Sequence, residues 1–295
     1  MKSSSELFPV ELVSAEHRGT YFEDLYSVKH NRSQDRSVEV AVLHLHAAKD
    51  NSGSDAFLFV HDVFDSHWQW MDDGANQQVI SALLNEGYSI WLFDWRGHGS
   101  SKHNRDVHSN TLSEMAATDL PAVVEFIQEK SRGGQLSVVS AGYGAQMVLR
   151  AMPQIDAVSK FVLVDAQCIK PARRYWIPFV RLKNRTRLLG RQWVSNRAGE
   201  HEPASLFIEL LKEAAWFSRY RRKQLKPLIA ELQSRSHRIF WLCTSARFER
   251  KAHRLLGTKA RTHRVNAQAA LSSADVSGFV NPVLNDLKQQ LGSES

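Results

Sequence analysis

The chain has little cysteine and no long apolar run. Cys168 and Cys243 are its only cysteines, so no disulfide framework holds the fold, and two buried thiols are expected. No apolar stretch approaches the roughly 20 residues of a membrane-spanning helix. Residues 1–6 lack the apolar stretch of a secretory signal. The sequence therefore predicts a protein of the reducing cytoplasm.

Repeats, low-complexity tracts and an excess of glycine or proline are also missing. The 295 residues include 15 Gly and 8 Pro, and 43% of them are apolar. This composition excludes fibrous and disordered chains. A chain of this length is able to bury one large core or two small ones.

Acidic residues are scarce in one third of the chain. Residues 170–264 contain 24 Lys and Arg but only 6 acidic residues, all of them Glu, which is a net charge of +18. The rest of the chain carries 14 basic and 25 acidic residues, a net charge of −11, so the overall charge of +7 hides this division. The division predicts one basic face or lid rather than uniform binding of anions.

Apolar runs typical of strands alternate with segments of helical spacing. This alternation predicts an α/β fold with a mainly parallel sheet. A capping box formed by Thr111 and Glu114 opens one helix, which Pro121 is expected to bend or split. The predicted strands are residues 38–47, 56–60, 88–95, 136–139, 161–164, 239–243 and 262–265, and the predicted helices are residues 77–84, 111–129, 145–151 and 279–291.

One long segment interrupts the alternation. Residues 169–236 carry interleaved aromatic and basic residues and a helical stretch at 203–218. We interpret this segment as a basic helical cap inserted between the predicted strands at residues 161–164 and 239–243, which are strands 6 and 7 of the complete fold. Residues 1–168 and 237–295 would then form the core.

Three motifs in this core have the order and spacing of a known family. Residues 57–62 read Phe-Leu-Phe-Val-His-Asp, residues 94–101 read Asp-Trp-Arg-Gly-His-Gly-Ser-Ser, and residues 136–145 read Leu-Ser-Val-Val-Ser-Ala-Gly-Tyr-Gly-Ala. Together they resemble the α/β-hydrolase fold in its serine esterase and lipase branch. The resemblance implies an oxyanion turn, a structural turn and a nucleophile elbow, in that order. It also implies a lid at the position of the predicted cap.

The residues that this resemblance requires for catalysis are missing from their positions. In the elbow pattern Gly-x-Ser-x-Gly, the nucleophile position falls on Gly142, which has no side chain. The acid expected after the seventh strand falls on Ala246 or Arg247, and the expected histidine loop, residues 266–276, contains no histidine. In the oxyanion turn Asp62 replaces a glycine, and a carboxylate there disfavours a developing oxyanion. The sequence therefore predicts a degenerate catalytic triad.

Replacement catalytic residues remain open as alternatives. Ser140 is the alternative nucleophile, Asp165 or Glu249 the alternative acid, and His61 or His98 the alternative base. The favoured interpretation makes Ser140 a small turn residue and Asp165 a strand-end carboxylate that accepts backbone N–H groups.

A ligand pocket is expected above the strand ends, beneath the cap. Arginine interleaved with aromatic residues suits a small acyl or anionic ligand or an anionic membrane, whereas nucleic acid is less favoured because no binding motif is present. The predicted pocket residues are His61, Asp62, Val63, Phe64, Trp95, Gly142 and Tyr143, and the predicted anion-binding residues of the cap are Arg173, Arg174, Arg181, Arg185, Arg187, Arg221 and Arg222.

The sequence predicts no metal site and no cofactor. His44 and His46 lie two apart on a predicted strand and could share one face, as metal ligands do. No cysteine or carboxylate is spaced along the sequence to complete such a site. An exposed strand face is therefore the favoured interpretation of the pair.

Three functions compete on this basis. The favoured one is a non-catalytic, hydrolase-like protein that binds an acyl, ester-like or anionic ligand. An active carboxylic-ester hydrolase that uses non-standard residues is the first alternative, and fold-level analogy alone supports it. A module that docks on a membrane or nucleic acid through the basic cap is the second.

Overall fold

A computed structural model describes residues 5–47, 54–71, 75–167, 169, 176–195 and 200–264. Several predicted features lie outside these described residues. They are Cys168, Arg173, Arg174, the loop 266–276 and the terminal helix 279–291.

A mixed, mainly parallel sheet forms the centre of the described chain. Its strands are β1 (Val10–His17), β2 (Tyr21–Val28), β3 (Val40–Ala47), β4 (Ala56–Val60), β5 (Ser89–Phe93), β6 (Leu136–Ala141), β7 (Val158–Val164), β10 (Ile239–Cys243) and β11 (Arg261–Arg264). Their spatial order is β1-β2-β3-β5-β4-β6-β7-β10-β11. The β1–β2, β2–β3 and β3–β5 pairs are antiparallel, and the pairs from β5 through β11 are parallel. Two short strands, β8 (Trp193–Val194) and β9 (Glu202–Pro203), form a separate ribbon.

Helices cover both faces of this sheet. They are α1 (Trp68–Met71), α2 (Ala75–Asn85), α3 (Leu112–Ala117), α4 (Asp119–Ser131), α5 (Gly142–Ala151), α6 (Pro178–Leu188), α7 (Ala204–Glu213), α8 (Leu225–Ser234) and α9 (Ala246–Leu256). Every residue of β4, β5 and β6 is buried, as expected for parallel strands covered on both sides. One core cluster includes α4, α5 and α8, and a second cluster on the opposite face includes α2. None of the described helices is long and apolar enough to cross a bilayer.

The predicted elements that lie within the described residues are confirmed with shifted ends. The helix predicted over residues 111–129 is split into α3 and α4 at Thr118, with Pro121 in the first turn of α4. The Thr111 hydroxyl caps α3 by accepting the Glu114 N–H at 3.2 Å. Strand β6 extends two residues beyond its predicted end, so Ser140 and Ala141 belong to the sheet. The sequence did not predict β1 and β2.

The helices α6, α7 and α8 and the β8–β9 ribbon lie between β7 and β10 in the chain. These two strands correspond to the predicted strands at residues 161–164 and 239–243, so the inserted segment has the predicted location. The division of the chain into a core and a separate basic cap stays a prediction. We use the name inserted segment for residues 176–195 and 200–236.

Candidate functional site

The sharp turn between β6 and α5 lies at the carboxyl edge of the sheet. Gly142 begins α5 with φ +49°, a left-handed conformation that a residue with a side chain adopts at a cost. Gly144 lies two residues after Gly142. It is packed so closely against the His61 carbonyl oxygen that a Cβ at position 144 would overlap this oxygen. This is the geometry of a nucleophile elbow, which needs small residues on both sides of the nucleophile.

The Asp62 carboxylate occupies the space in front of Gly142. A Cβ built on Gly142 would overlap the carboxylate carbon and both carboxylate oxygens of Asp62. Asp62 therefore stands where the side chain of an elbow nucleophile would project. No residue other than glycine fits at position 142 while Asp62 keeps this position.

Two backbone N–H groups hold the Asp62 carboxylate. Oδ1 of Asp62 accepts the Tyr143 N–H at 2.6 Å and the Val63 N–H at 2.7 Å. Tyr143 directly follows the elbow position, and Val63 lies in the loop after β4. These are the two places from which a hydrolase of this fold supplies its oxyanion donors. In this chain, the Asp62 carboxylate accepts the hydrogen bonds of both donors.

Burial raises the pKa of Asp62 above its ordinary value, although the N–H groups of Tyr143 and Val63 act in the opposite direction. The charges of Glu202 and Asp165 add to the increase. The carboxylate is thus held by directed donors in a site that is otherwise unfavourable to negative charge.

His61 supports the turn and has no ring nitrogen available for proton transfer. The ring is fully buried, and its Nδ1 donates to the Asp62 carbonyl oxygen at 2.7 Å while Nε2 accepts the Trp95 N–H at 3.1 Å. The ring stacks on Trp95 with centroids 4.8 Å apart. Burial lowers the pKa of His61 to about 4, which keeps the ring neutral near pH 7. His61 is a structural residue here, not a general base.

The turn at residues 94–101 has a partner for each charged side chain. The Asp94 carboxylate accepts N–H groups from His67 at 2.7 Å and Ser100 at 2.8 Å, and it accepts a second hydrogen bond from the His67 ring at 2.7 Å. Arg96 forms a bidentate, fully buried pair with Asp119 at 2.6 Å and 2.6 Å. Such pairs fix the turn against the sheet and α4.

His98 connects this turn to the inserted segment. Its Nδ1 donates to the Arg96 carbonyl oxygen at 3.0 Å, and its Nε2 donates to Oε1 of Glu202 at 3.0 Å. The same Glu202 oxygen accepts the N–H of Phe64, a residue with φ +63°, at 2.7 Å. Burial acts to lower the pKa of His98, but the hydrogen bond to Glu202 and the Glu202 charge, together with the Arg96 carbonyl and the charge of Glu200, outweigh it and the pKa is raised. Glu202 thus holds the structural turn and the Asp62 loop together.

Two other acids of the inserted segment also contact the core. Glu200 accepts the Gly99 N–H at 3.1 Å, and Glu213 forms a bidentate pair with the buried Arg150 at 2.8 Å and 2.7 Å. These contacts attach the inserted segment to the core.

The alternative catalytic residues are not hydrogen-bonded to one another in the described part of the chain. Ser140 is fully buried within β6, where its hydroxyl has no hydrogen-bond partner among the described residues. Asp165 accepts the Thr244 N–H at 2.9 Å and the Thr244 hydroxyl at 2.6 Å, which is the structural role that the sequence favoured. Glu249 lies in the first turn of α9, as do Ala246 and Arg247. The loop that the family pattern assigns to the histidine lies outside the described residues.

A pocket of about 320 Å³ opens between the elbow and the inserted segment. Its size is at the lower end for small-molecule sites. Two of the seven predicted pocket residues, Phe64 and Tyr143, line it. The other five are not among its lining residues; they are His61, Asp62, Val63, Trp95 and Gly142. The lining consists of Phe64, Tyr143, Asn184, Arg187, Leu188, Val194, Phe207, Leu210 and Leu211.

The described arginines of the predicted anion-binding surface do not share one location. Arg187 faces the pocket and Arg185 is exposed on the same helix. Arg181 lies over the Phe217 ring at 5.4 Å, Arg221 lies over the Trp176 ring at 4.3 Å, and Arg222 is exposed. Only Arg187 among them contributes to the pocket.

Comparison with known proteins identifies the family. A model of the alpha/beta hydrolase family matches residues 57–282, which is most of the chain. The chain belongs to the alpha/beta hydrolase family. The predicted fold, a mostly parallel sheet flanked by helices, is thereby confirmed.

Curated relatives are lipases of low identity. Human gastric triacylglycerol lipase is 28% identical over 118 residues, which are 37% of this chain and 30% of the lipase. Mouse lipase member N is 25% identical over 105 residues, which are 32% of this chain and 26% of that lipase. The matched region thus spans less than a third of either lipase.

Solved structures of esterases and hydrolases share the fold. The peroxisomal alpha-beta-hydrolase Lpx1 of Saccharomyces cerevisiae has a TM-score of 0.59 at 12% identity, over 92% of this alpha/beta hydrolase and 91% of its own chain. Est1E of Butyrivibrio proteoclasticus, bound to ferulic acid, has a TM-score of 0.58 at 11% identity, over 86% and 96% of the two chains. At these identities the likeness shows the fold alone.

Proposed function

We propose that this alpha/beta hydrolase is a non-catalytic binding protein for a small acyl or anionic ligand. The observation that carries the proposal is the Asp62 carboxylate, which lies against Gly142 and accepts the N–H groups of Tyr143 and Val63. A carbonyl substrate would need those two donors for its developing oxyanion. With a negative charge already on them and no hydroxyl at position 142, acyl transfer at the elbow has neither nucleophile nor oxyanion site.

The pocket in front of Asp62 supports ligand binding. Its walls are mainly apolar, with Phe64, Phe207 and Leu210 among them, and Arg187 and Asn184 provide polar groups on α6. This combination suits an amphipathic molecule with a short acyl chain and an anionic end. The anionic end would face Arg187, because the Asp62 side repels negative charge.

The first experiment tests for catalysis. The wild-type chain is incubated with p-nitrophenyl esters of increasing acyl length and with a fluorophosphonate probe, and labelled residues are read by mass spectrometry. No specific turnover and no labelled serine are expected, and a thermal unfolding curve of the same sample confirms that it is folded. Labelling of Ser140 or of any other defined serine, together with turnover abolished by changing that serine to alanine, would establish the ester-hydrolase alternative instead.

The second experiment tests the pocket. Binding of straight-chain carboxylates of increasing length is followed by calorimetry in the wild type, Arg187→Ala and Arg185→Ala. Arg185 is the matched control because it lies on the same helix, is exposed and does not line the pocket. Affinity is expected to fall about tenfold or more in Arg187→Ala, since a charged hydrogen-bond partner is lost, and to stay unchanged in Arg185→Ala. Equal losses in both variants would reject the pocket as the site.

A second candidate function is docking on an anionic membrane. Large apolar side chains of the inserted segment are exposed, and Arg181 and Arg221 lie over two of their rings. Aromatic residues mixed with arginine are typical of surfaces that lie at a lipid headgroup layer. The exposed side chains are Trp176 (39% exposed), Ile177 (52%), Phe179 (81%), Leu182 (58%), Trp216 (65%) and Phe217 (52%).

Vesicle sedimentation tests this candidate. The chain is mixed with phosphatidylcholine vesicles with and without phosphatidylserine, at low and high salt. Binding is expected only with phosphatidylserine, to weaken with salt, and to be lost in Phe179→Ser. The control Val13→Ser changes an exposed apolar residue of β1 (56% exposed) and is expected to bind normally. Salt-insensitive binding, or binding to single-stranded nucleic acid in place of vesicles, would reject the membrane.

A further inference from the structure

We propose that Asp24, His44 and His46 form a binding site for one divalent metal ion of the zinc type. The three side chains lie on one face of the sheet, where β2 pairs with β3. The site is independent of the elbow and of the proposed ligand-binding function.

The antiparallel register brings the three residues together. Asp24 lies directly opposite His44 in the β2–β3 pair, and His46 lies two residues further along β3 on the same face. The sequence alone showed the two histidines but no third ligand, because Asp24 is 20 positions away and joins them only through strand pairing. Strands β3 and β5 are antiparallel, so the end of β3 that carries His46 lies beside the start of β5. Gly142 lies at the other edge of the sheet, where the parallel strands end.

The spacing of the ligand atoms suits a single ion. One ligand atom from each of the three residues lies within 4.8 Å of the other two. His46 Nε2 is 3.4 Å from Oδ2 of Asp24. Two ligands bound tetrahedrally to zinc at its usual bond lengths are separated by about 3.3 Å. That pair therefore already has the required separation, and His44 offers a third ligand atom within 4.8 Å of both.

Hydrogen bonds orient both rings for this role. Nδ1 of His46 donates to the Ala47 carbonyl oxygen at 3.1 Å, which leaves the lone pair on Nε2 facing Asp24. Nε2 of His44 is 2.7 Å from the Ser89 hydroxyl, which leaves its Nδ1 available. Metal-bound histidines commonly bond a carbonyl or another polar group through the second ring nitrogen.

The contact between His46 and Asp24 places two ligand types side by side. Nε2 of His46 and Oδ2 of Asp24 are 3.4 Å apart. Both side chains are partly accessible, at 26% and 19%, so an ion has a route to them. Two imidazoles and one carboxylate are a ligand set that zinc uses.

Competition with a chromophoric chelator tests the site directly. Zn²⁺ is titrated into the full chain in the presence of the chelator, and the spectrum of the Co²⁺ form reports the coordination. One equivalent of metal is expected, with the intense visible bands of four-coordinate Co²⁺. His46→Ala and Asp24→Asn are each expected to weaken binding about 100-fold or more, and Ser89→Ala, which removes a supporting hydrogen bond, about tenfold.

Controls separate this site from general histidine binding. His237→Ala removes an exposed histidine of another loop and is expected to bind Zn²⁺ like the wild type. Thermal unfolding of each variant without metal shows whether it is folded. Failure of the wild type to compete with the chelator, or equal binding by wild type, His46→Ala and Asp24→Asn, would overturn the proposal and leave His46 and Asp24 as a polar contact between two strands.

Discussion

Two turns at the same edge of the sheet differ in how far they match the family motifs. The turn at residues 94–101 retains the family motif, and its charged side chains are bonded within the core: Asp94 to His67, Arg96 to Asp119 and His98 to Glu202. The elbow after β6 has the family's backbone shape at Gly142 and Gly144, with a glycine at the position of the nucleophile. The comparison teaches that the shape of this fold and its chemistry depend on separate sets of residues.

The physical reason lies in the cost of losing each set. Removing one member of a buried ion pair leaves an uncompensated charge in the core, so the motif residues of the first turn are hard to replace. At the elbow, a hydroxyl contributes to a reaction and little to the fold. Glycine at position 142 adopts the left-handed conformation without steric cost, and the Asp62 carboxylate fills the space that a Cβ would need.

The largest expected effect comes from breaking the first turn. Asp119→Ala leaves the buried Arg96 guanidinium and the adjacent His30 ring, 3.0 Å from Asp119, without their carboxylate. We expect the free energy of unfolding to fall by about 3–5 kcal/mol, measured by urea denaturation.

Two comparison variants keep this result interpretable. Asp119→Asn preserves the shape of the side chain and removes its charge. It is measured as well, so that the loss of the charge can be assessed even if the alanine variant folds poorly. Glu125→Ala removes the half-exposed partner of Arg32 and is expected to cost less than about 1 kcal/mol. Similar small losses at both sites would contradict the contrast between buried and surface pairs.

A smaller effect is expected from restoring a side chain at the elbow. Gly142→Ala places a Cβ on the Asp62 carboxylate and forces a left-handed φ on alanine, at a total cost of about 2–4 kcal/mol. In an Asp62→Gly background only the backbone part remains, about 1–2 kcal/mol. Unfolding of the two single variants and the double variant gives the coupling energy between positions 62 and 142. Additive losses would mean that the carboxylate does not occupy the elbow.

Much of this fold was readable from the sequence because its signals are local. The buried strands are continuous apolar runs, and the split between α3 and α4 follows from a capping box and Pro121. The strands β1 and β2 were missed because β1 is mostly exposed and both carry charged residues. A polar edge hairpin lacks the apolar pattern on which strand prediction depends.

The site was predicted less completely because its contacts are long-range. The replacement at Gly142 and the acid at position 62 are visible in the sequence, but the contact between the two is not. Glu202 was missed, although it is one of few acids in a basic segment. A scarce charge of the opposite sign is a usable signal for a residue that faces inward, and Glu200 and Glu213 follow the same pattern.

The pH dependence of stability distinguishes the two buried histidines of this region. The pKa of His61 in the folded chain is about 4, below the ordinary value near 6.5, so the unfolded state binds more protons between these pH values. Stability therefore falls as the pH decreases from about 6.5 to 4, by up to about 3 kcal/mol from this residue. His61→Gln retains an acceptor for Trp95 but does not titrate. Its unfolding free energy is expected to change less with pH than that of the wild type over this window, and parallel curves would contradict the assignment.

The smallest expected effect on stability comes from Glu202, which bonds both the turn at residues 94–101 and the Asp62 loop. Glu202→Gln keeps an oxygen for the Phe64 N–H and removes the charge that favours protonated His98. The pKa of His98, raised in the wild type, is expected to drop, which an NMR titration of the ring measures.

A group with a raised folded pKa stabilises the protein below its unfolded pKa, and this contribution disappears as the pH rises through the folded value. The stability difference between wild type and Glu202→Gln is therefore expected to be largest near pH 6, about 1 kcal/mol, and to shrink toward alkaline pH. An unchanged His98 titration in the variant would mean that Glu202 supports Phe64 alone and that the two turns are held independently.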